Sequence, residues 1–478
     1  MISNRAIKLP GVAIFSLLLL ISLGVTYLMI TKGILVGIVI LGILLGGIYL
    51  AATLKDFRIA FYSVFLMGIF MFYVNRMLNL VFPLGTVYDG LVALAFFAVF
   101  LNERPFDWRG FWNPITMMFV ILIVFQILQL FNPNATSSVA WLVSLRNNTS
   151  FLIYVVCFHM FSSLKEVRRF TSVWIGVAFL TGLYGIFQHF FGLSAREMEW
   201  MNQSPERIGL YIIWGELRVF SFLSDPSAYG LFIGITSLAT MVLTLGPFRL
   251  PVKIGYGLLT IVLLVAMSYS GTRTAMALVI AGIAFYILIM LHNRRILIAS
   301  AGMVLVGAVL LFGPFYGSTM SRLRSTFKAS EDPSMAVRDY KRQMFQEYIK
   351  SNPIGGGLNT VGHSGARYSP GHPLAGEWDP DSGYLFTALE SGWVGLIIVM
   401  GVFFIVMLTG INRFFSIRDP VLKVYTLAYI VPFFALSVAH FAQDAMFTKP
   451  MNVIVFATYA LVYKIATLEK KLHSTEMI

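Results

Sequence analysis

Hydrophobic positions along this chain are gathered into long blocks. Apolar runs near 11–30, 33–53, 59–80, 85–101, 114–131, 149–162, 170–191, 227–246, 254–270, 274–291, 296–313, 384–409, 422–440 and 451–465 have lengths suited to crossing a bilayer as helices, about fourteen of them. One hydrophilic stretch interrupts the series. Between Phe315 and Gly383 it carries Arg322, Arg324, Lys328, Arg338, Lys341, Arg342, Lys350 and Arg367, the histidines His363 and His372, the run Gly355-Gly356-Gly357 and the acidic patch Glu377-Trp378-Asp379-Pro380-Asp381. If the rest lies in lipid, chemistry on a water-soluble group belongs here.

The pattern inside this stretch predicts two parts. Arg338 to Lys350 is amphipathic, with Met344, Phe345, Tyr348 and Ile349 on one face, and reads as an interfacial helix. It stops at Asn352-Pro353, since the residue before proline disfavours helix, and the following glycines permit a tight turn. Gly362 to Gly376, rich in Gly, Pro, Ser and His, predicts no regular structure and the behaviour of a substrate-handling loop. The chain therefore divides into a first part of a transmembrane bundle at 1–313, a loop at 314–383, a last part of the bundle at 384–465 and a tail at 466–478.

Composition agrees with the blocks. With 58% hydrophobic and 12% charged residues, the chain is more apolar and far less charged than a soluble domain, about 45–50% and about 25% respectively. An all-α polytopic membrane protein is predicted. The net charge of +13 is dispersed over short connections, which is the pattern of topology signals and not of a nucleic-acid stripe. Cys157 is the one cysteine, so neither an intramolecular disulfide nor a cysteine-rich zinc site is available. The apolar run after Arg5 and Lys8 is too long for a signal peptide and reads as the first span.

Charge also sets orientation. Alternate connections carry Lys55 with Arg58, Arg104 with Arg109, Lys165 with Arg168 and Arg169, Arg249 with Lys253, Arg294 with Arg295, Arg413 with Arg418 and Lys423, and Lys464 with Lys470 and Lys471. This places them, and both termini, in the cytoplasm. The loop 314–383 is then extracytoplasmic, provided that 254–291 is two helices turning at Ser270-Gly271-Thr272. Positive charge is disfavoured in the outer connections, yet they hold Arg76, Arg146, Arg196, Arg207, Arg218 and Arg273. Arg218 and Arg273 stand at helix ends beside small polar residues, where a planar guanidinium suits bidentate binding of phosphate oxygens. An interfacial arginine reaching lipid headgroups is the plainer alternative.

Four pieces, in order, resemble the O-antigen ligase and Wzy-type polymerase superfamily of bacterial envelope glycosyltransferases. They are Arg218-Val219-Phe220-Ser221-Phe222-Leu223-Ser224-Asp225-Pro226, then Ser268-Tyr269-Ser270-Gly271-Thr272-Arg273, then Arg338 with Asn352-Pro353-Ile354-Gly355-Gly356-Gly357, and last Asp381-Ser382-Gly383-Tyr384-Leu385 leading into Leu389-Glu390-Ser391-Gly392-Trp393-Val394-Gly395. The resemblance spans roughly Asn132 to Phe404. It implies a GT-C-like bundle in the bacterial inner membrane. The implied reaction moves a glycan from a polyprenyl (undecaprenyl) diphosphate donor to an acceptor sugar hydroxyl at the outer face, inverting and without a metal or other cofactor. The partners implied are that donor, a glycan or lipid-linked glycan acceptor and membrane lipids, with no nucleic acid.

On this resemblance Arg218, Arg273 and Arg338 meet the leaving diphosphate, where preorganised positive charge stabilises the transition state. Asp381 is the first candidate for the base that takes the acceptor's proton and Glu390 the second. The family's fourth motif ordinarily begins His-Asn, whereas Asp381-Ser382 stands here; either Asp381 takes over that role or His363 or His372 reaches in from the loop.

Other readings of the same residues remain open. Asp379 and Asp381 form an Asp-x-Asp tripeptide able to hold a divalent cation. Glu390 inside a span also suits a structural partner for an arginine. His159, His189 and His440 read as bundle histidines without metal-ligand spacing. Gly355 to Gly357 lacks the lysine and hydroxyl residue of a P-loop. Trp214, Tyr368 and Trp378 suit sugar stacking or an interfacial belt. A transporter or flippase for a lipid-linked glycan predicts repeats with charge at mid-membrane, and a dolichol-mannose-type transferase predicts paired acids in the first outer loop, which here is only Thr31-Lys32-Gly33.

Overall fold

The apolar blocks fold as helices. A computed structural model describes residues 11–79, 83–102, 108–146, 149–213, 215–292, 298, 340, 343, 345–376 and 378–476. In chain order these form α1 (Gly11–Lys32), α2 (Ile34–Lys55), α3 (Phe57–Leu78), α4 (Leu84–Asn102), α5 (Trp108–Phe111), α6 (Pro114–Leu128), α7 (Ser138–Leu145), α8 (Thr149–Met160), α9 (Leu164–Phe191), α10 (Ala195–Asn202), α11 (Pro205–Tyr211), α12 (Pro226–Thr244), α13 (Leu250–Ser268), α14 (Arg273–Ile289), α15 (Gly362–Tyr368), α16 (Gly383–Ser416), α17 (Pro420–Ala439) and α18 (Met451–Glu476). A two-stranded ribbon, β1 (Ile212–Ile213) with β2 (Glu216–Leu217), pairs antiparallel between α11 and α12.

Each expected span coincides with a helix, except 296–313, which apart from residue 298 lies outside the described residues. Among the described residues nine helices are long and apolar enough to cross a membrane, and Ser22–Thr31, Val39–Lys55, Phe151–Met160 and Arg273–Ile289 are shorter apolar helices. The turn expected at Ser270-Gly271-Thr272 separates α13 from α14, with Gly271 at φ 60°. Within the bundle α12 is central, 89% of its apolar window being buried against 22% for α13. Interhelical hydrogen bonds join it to its neighbours, as Trp174 Nε1 donates to Thr236 Oγ1 at 2.9 Å. Between helices that meet lipid elsewhere, such bonds add direction to packing.

The connections at one end of the bundle are tied to one another. Buried Arg76, at the end of α3, donates to the carbonyls of Ser221 and Leu223. Ser221 adopts φ 51° and its N–H donates to Gln188 Oε1 at 2.8 Å. Gln188 in turn donates to Glu197, whose buried carboxylate also accepts from Tyr184 and from Ser194. This network leaves few lone pairs of a buried acid unmet. It fixes the segment that leads to Asp225, which caps α12 by accepting from the N–H groups of Ser227 and Ala228 at 2.8 and 2.9 Å. Asp-Pro at N-cap and N1 is a favoured helix start.

The long loop departs from expectation in two ways. Residues 345–350 are helical, but their apolar face is not interfacial. Phe345 packs with Val361, Leu374 and Leu389, and its ring stacks on Trp378 at 4.6 Å between centroids; Arg338, Lys341, Arg342 and Met344 lie outside the described residues. A local protein cluster thus takes up the surface that the pattern offered to lipid. The stretch 362–376 is also ordered, since it contains α15 and closes on itself where Gly362 N–H donates to the Leu374 carbonyl at 2.9 Å. Asp379 Oδ1 accepts from the N–H of His363 at 3.1 Å, satisfying a donor at the start of α15 from a residue well downstream. Local sequence carries no sign of such a cap.

Candidate active site

α16 breaks at Gly392, where φ is 67° and ψ −176°. A break frees backbone groups, and in a span these must find partners within the protein. The Pro353–Gly357 segment supplies them. Gly356 N–H donates to the Leu389 carbonyl and Gly357 N–H to that of Glu390, both at 2.9 Å, while Val394 N–H donates to the Pro353 carbonyl at 3.1 Å. Such approach leaves no room for side chains, because a Cβ on Gly392 would lie 2.0 Å from the Pro353 oxygen and one on Gly355 2.4 Å from Gly392 N. From the other side Gln129 Nε2 and Asn132 Nδ2 donate to the Ile354 carbonyl at 2.9 and 3.1 Å, and Asn134 Nδ2 to that of Gly355 at 3.0 Å. The glycine run is a backbone splint.

The splint sets Glu390 in place. Its side chain is buried, the backbone N–H groups of Asn359 and Thr360 face its carboxylate, and its Oε1 has no hydrogen-bond partner among the described residues. Burying an acid oxygen unsatisfied is costly. A buried polar group without a partner calls for an explanation, and a catalytic role is one.

Glu390 lines a cavity of about 590 Å³, within the range of small-ligand sites. Its wall also takes in Asn359, Ser364, Tyr368 and Thr387 from the loop and α16, Asp89 and Arg146 from α4 and the end of α7, His440, Asp444 and Lys449 from the connection between α17 and α18, and Asn452 from the start of α18. Three aromatic rings, Phe119, Phe386 and Phe447, join them. Polar groups mixed with ring faces suit a carbohydrate, which presents both hydroxyls and C–H surfaces.

The cavity wall carries groups of both signs of charge. On its wall Arg146 Nε pairs with Asp89 Oδ2, and Lys449 Nζ lies 4.2 Å above the ring centre of buried Tyr88. Burial pushes the Lys449 ammonium below the usual lysine range, Asp89 pulls it back and Arg146 pushes it down. His440 and Asp444 line the same cavity as Glu390. The Ala445 N–H donates to His440 Nδ1 at 3.2 Å, which places the proton of the neutral ring on Nε2. That Nε2 is buried without a partner among the described residues. Asp444 Oδ1 lies 3.5 Å from the same Nδ1 and keeps 51% of its side-chain surface, which opens on the cavity. Partial desolvation by the surrounding protein pushes its carboxyl upward, against a smaller opposing effect of the Phe447 N–H.

The expected site residues are distributed unevenly. Of the expected catalytic and diphosphate-binding residues, Glu390 alone among the described ones lines this cavity, together with Tyr368, one of the rings suited to sugar stacking. Arg218 and Arg273 are brought close in a different sense. Arg218 Nε donates to the Ser270 carbonyl, Nη1 to that of Leu210 and Nη2 to Thr272 Oγ1, at 3.1, 3.2 and 3.1 Å. Arg218 thereby fixes the turn that presents Arg273, itself half-buried at the start of α14. Neither arginine lines the cavity, and Arg338 lies outside the described residues, as does Trp214.

Asp381 is exposed and off the cavity wall. His363 is exposed and paired through Nδ1 with Asp379 Oδ2 at 2.9 Å. His372 is buried beneath Gly356, whose Cβ would lie 2.7 Å from its Cε1, and its Nδ1 accepts from the Leu374 N–H at 3.1 Å. Burial holds that ring below the usual histidine range. Neither loop histidine lines the cavity. Among the described residues no group of three or more His, Cys, Asp and Glu is arranged to hold a metal.

Nothing in the sequence points to Lys449 or Asp444. Arg146 carries only the signal of a cation in an outer connection, shared with Arg218, and His440 reads as a bundle histidine, yet it lines the cavity; only the fold of the α17–α18 connection reveals this.

A break in a span, a loop splinted to it and a buried acid occupy the stretch that also matches a known family. Residues 258–400 match the O-antigen ligase family. The match takes in the Ser268–Arg273 turn, the splint and Glu390, and agrees with the resemblance carried by the last three motifs. The match and the nine long apolar helices among the described residues agree with a multi-pass membrane protein. Asp89, Arg146, Arg218 and the 440–450 connection lie outside the matched O-antigen ligase segment. No curated protein matches the chain.

Proposed function

We propose that this protein is a membrane glycosyltransferase that moves an oligo- or polysaccharide from a polyprenyl diphosphate to an acceptor sugar hydroxyl, as an O-antigen polymerase or ligase does. The observation that carries the reading is Glu390, a buried acid with an unpartnered oxygen on the wall of a polar cavity, inside the O-antigen ligase match. The acceptor O–H lies against Glu390. As its oxygen forms a bond to the anomeric carbon, the proton passes to the carboxylate and the bond from that carbon to the diphosphate oxygen breaks, its electron pair leaving on the diphosphate. Direct displacement inverts the anomeric centre. Glu390 supplants Asp381 as first candidate for the base because the proton acceptor must be within hydrogen-bond reach of the nucleophile, and Asp381 stands exposed outside the cavity.

The basic residues Lys55, Arg168, Arg249 and Lys423 lie at the end of the bundle away from the splint, which favours a cytoplasmic position for that end and an outer-face position for the cavity. The membrane is then the bacterial inner membrane, with both chain ends cytoplasmic. In a strain lacking this chain, the envelope polysaccharide is expected to lose its long form. Lipid-linked single repeats then identify a polymerase, and long chains left on the lipid a ligase. An unchanged glycan profile, or donor stranded on the cytoplasmic face, contradicts the reading, the latter in favour of a transporter.

A further inference from the structure

Lys449 has no part in the displacement described above, yet it lines the same cavity. Its Nζ lies 4.2 Å above the ring centre of Tyr88, and Asn452 Nδ2 donates to the Tyr88 hydroxyl at 3.2 Å, which holds the ring in place. A ring face attracts an ammonium but does not accept its three protons as oxygen atoms would. Among the described residues Lys449 Nζ makes no hydrogen bond or salt bridge. The charged groups that act on it are Asp89 and Arg146, and these two are paired with each other. Glu390 and Asp444 do not neutralise it, since neither acid acts on Lys449 and Lys449 acts on neither. Asp89, Arg146 and Lys449 together therefore bring one net positive charge to the cavity wall.

The count and the surroundings decide which anion suits this charge. A half-buried ammonium has lost part of its hydration, and a ligand that restores a partner is favoured. One net charge matches a monoanion. Because no electrostatic effect passes between Lys449 and Glu390, that anion need not sit at the reacting carbon. Elsewhere the wall is the mixture of polar groups and ring faces that a sugar requires, in Asn359, Ser364, Tyr368 and Phe386. We propose that Lys449 is a specificity site for acidic glycans: its ammonium binds the carboxylate of a sugar of the uronic acid class in the repeat that the cavity holds. This rests on the glycosyltransferase reading and names its substrate class. A neutral repeat of the same shape is disfavoured because it leaves the ammonium desolvated and unpaired.

The first measurement is the sugar composition of the lipid-linked glycan that accumulates in a strain lacking this chain. A carboxylate-bearing sugar in each repeat is expected, and a repeat without one overturns the proposal. The second uses the full chain in lipid nanodiscs with that glycan as donor, before and after its carboxylates are reduced to hydroxymethyl groups. Reduction is expected to lower the kcat/KM of the wild type about 10–100-fold, the worth of a hydrogen bond to a charged group. Lys449→Met slows transfer of the native glycan by a similar factor, and the two losses do not add because each removes the same contact; Lys449→Arg keeps the preference for the native glycan. Equal kcat/KM of the wild type on native and reduced glycan overturns the proposal, and this comparison needs no variant to fold. A Lys449→Met loss as large on the reduced glycan as on the native one also overturns it, since the lysine would then serve a group common to both, such as the diphosphate. Each of these results leaves the transfer reading intact, whereas its own failure appears as absence of transfer of the native glycan by the wild type.

Discussion

Glu390→Gln is expected to slow glycan transfer by about 10²–10³-fold, the contribution of a positioned general base, with donor binding retained. The substitution is close to isosteric, so the break in α16 and its three splinting backbone bonds survive, and what is lost is the capacity to take a proton. Asp381→Asn is the companion variant. Being exposed and off the cavity wall, Asp381 contributes little to the chemical step, and its variant is expected to stay within about threefold of wild type. Single-turnover transfer in nanodiscs separates the two; a Glu390→Gln enzyme as fast as wild type, or an Asp381→Asn enzyme as slow as predicted for Glu390→Gln, would return the base to the position first favoured from sequence.

The largest effect on stability is expected at Gly392. Alanine there must hold φ near 67° and place its Cβ 2.0 Å from the Pro353 oxygen and 2.6 Å from Gly355 N, all backbone atoms that cannot swing aside. The conformational cost alone is about 1–3 kcal/mol, and displacement of the splint removes backbone bonds that in a span have no water to replace them. A loss of at least about 3 kcal/mol is therefore expected, seen as a lowered Tm and as protease cleavage within 353–382. Gly90→Ala is the control, since Gly90 sits in α4 with nothing within 4 Å of an added Cβ and alanine favours helix. Equal Tm values for the two variants would mean that the splint is not what holds the loop.

How much of this was legible beforehand depends on whether the cause was local. Spans are legible because bilayer thickness fixes the length of an apolar run, and the separation of α13 from α14 follows from small residues at 270–272. The motifs were visible as strings, but their physical work was not. Asp225-Pro226 is a helix cap, Arg218 a clamp on the 270–272 turn, and Gly355 to Gly357 a match for Gly392. Each function depends on a partner distant in sequence. The same reason hid Lys449 and His440, whose neighbours Tyr88 and Gly383 are far away along the chain. Conversely, Gly362 to Gly376 reads as irregular because its cap comes from Asp379, which contacts His363 and which the sequence pattern pairs instead with Asp381.

The central claim is that the sugar to be transferred sits beside Glu390. A polyprenyl diphosphate-linked glycan carrying a photoactivatable group on its first sugar, bound to the full chain in nanodiscs and irradiated, tests this most directly. The expected cross-links fall in 358–368 and 386–391, on two walls of the cavity; cross-links confined to 210–218 and 268–273, around the Arg218 clamp, would contradict it.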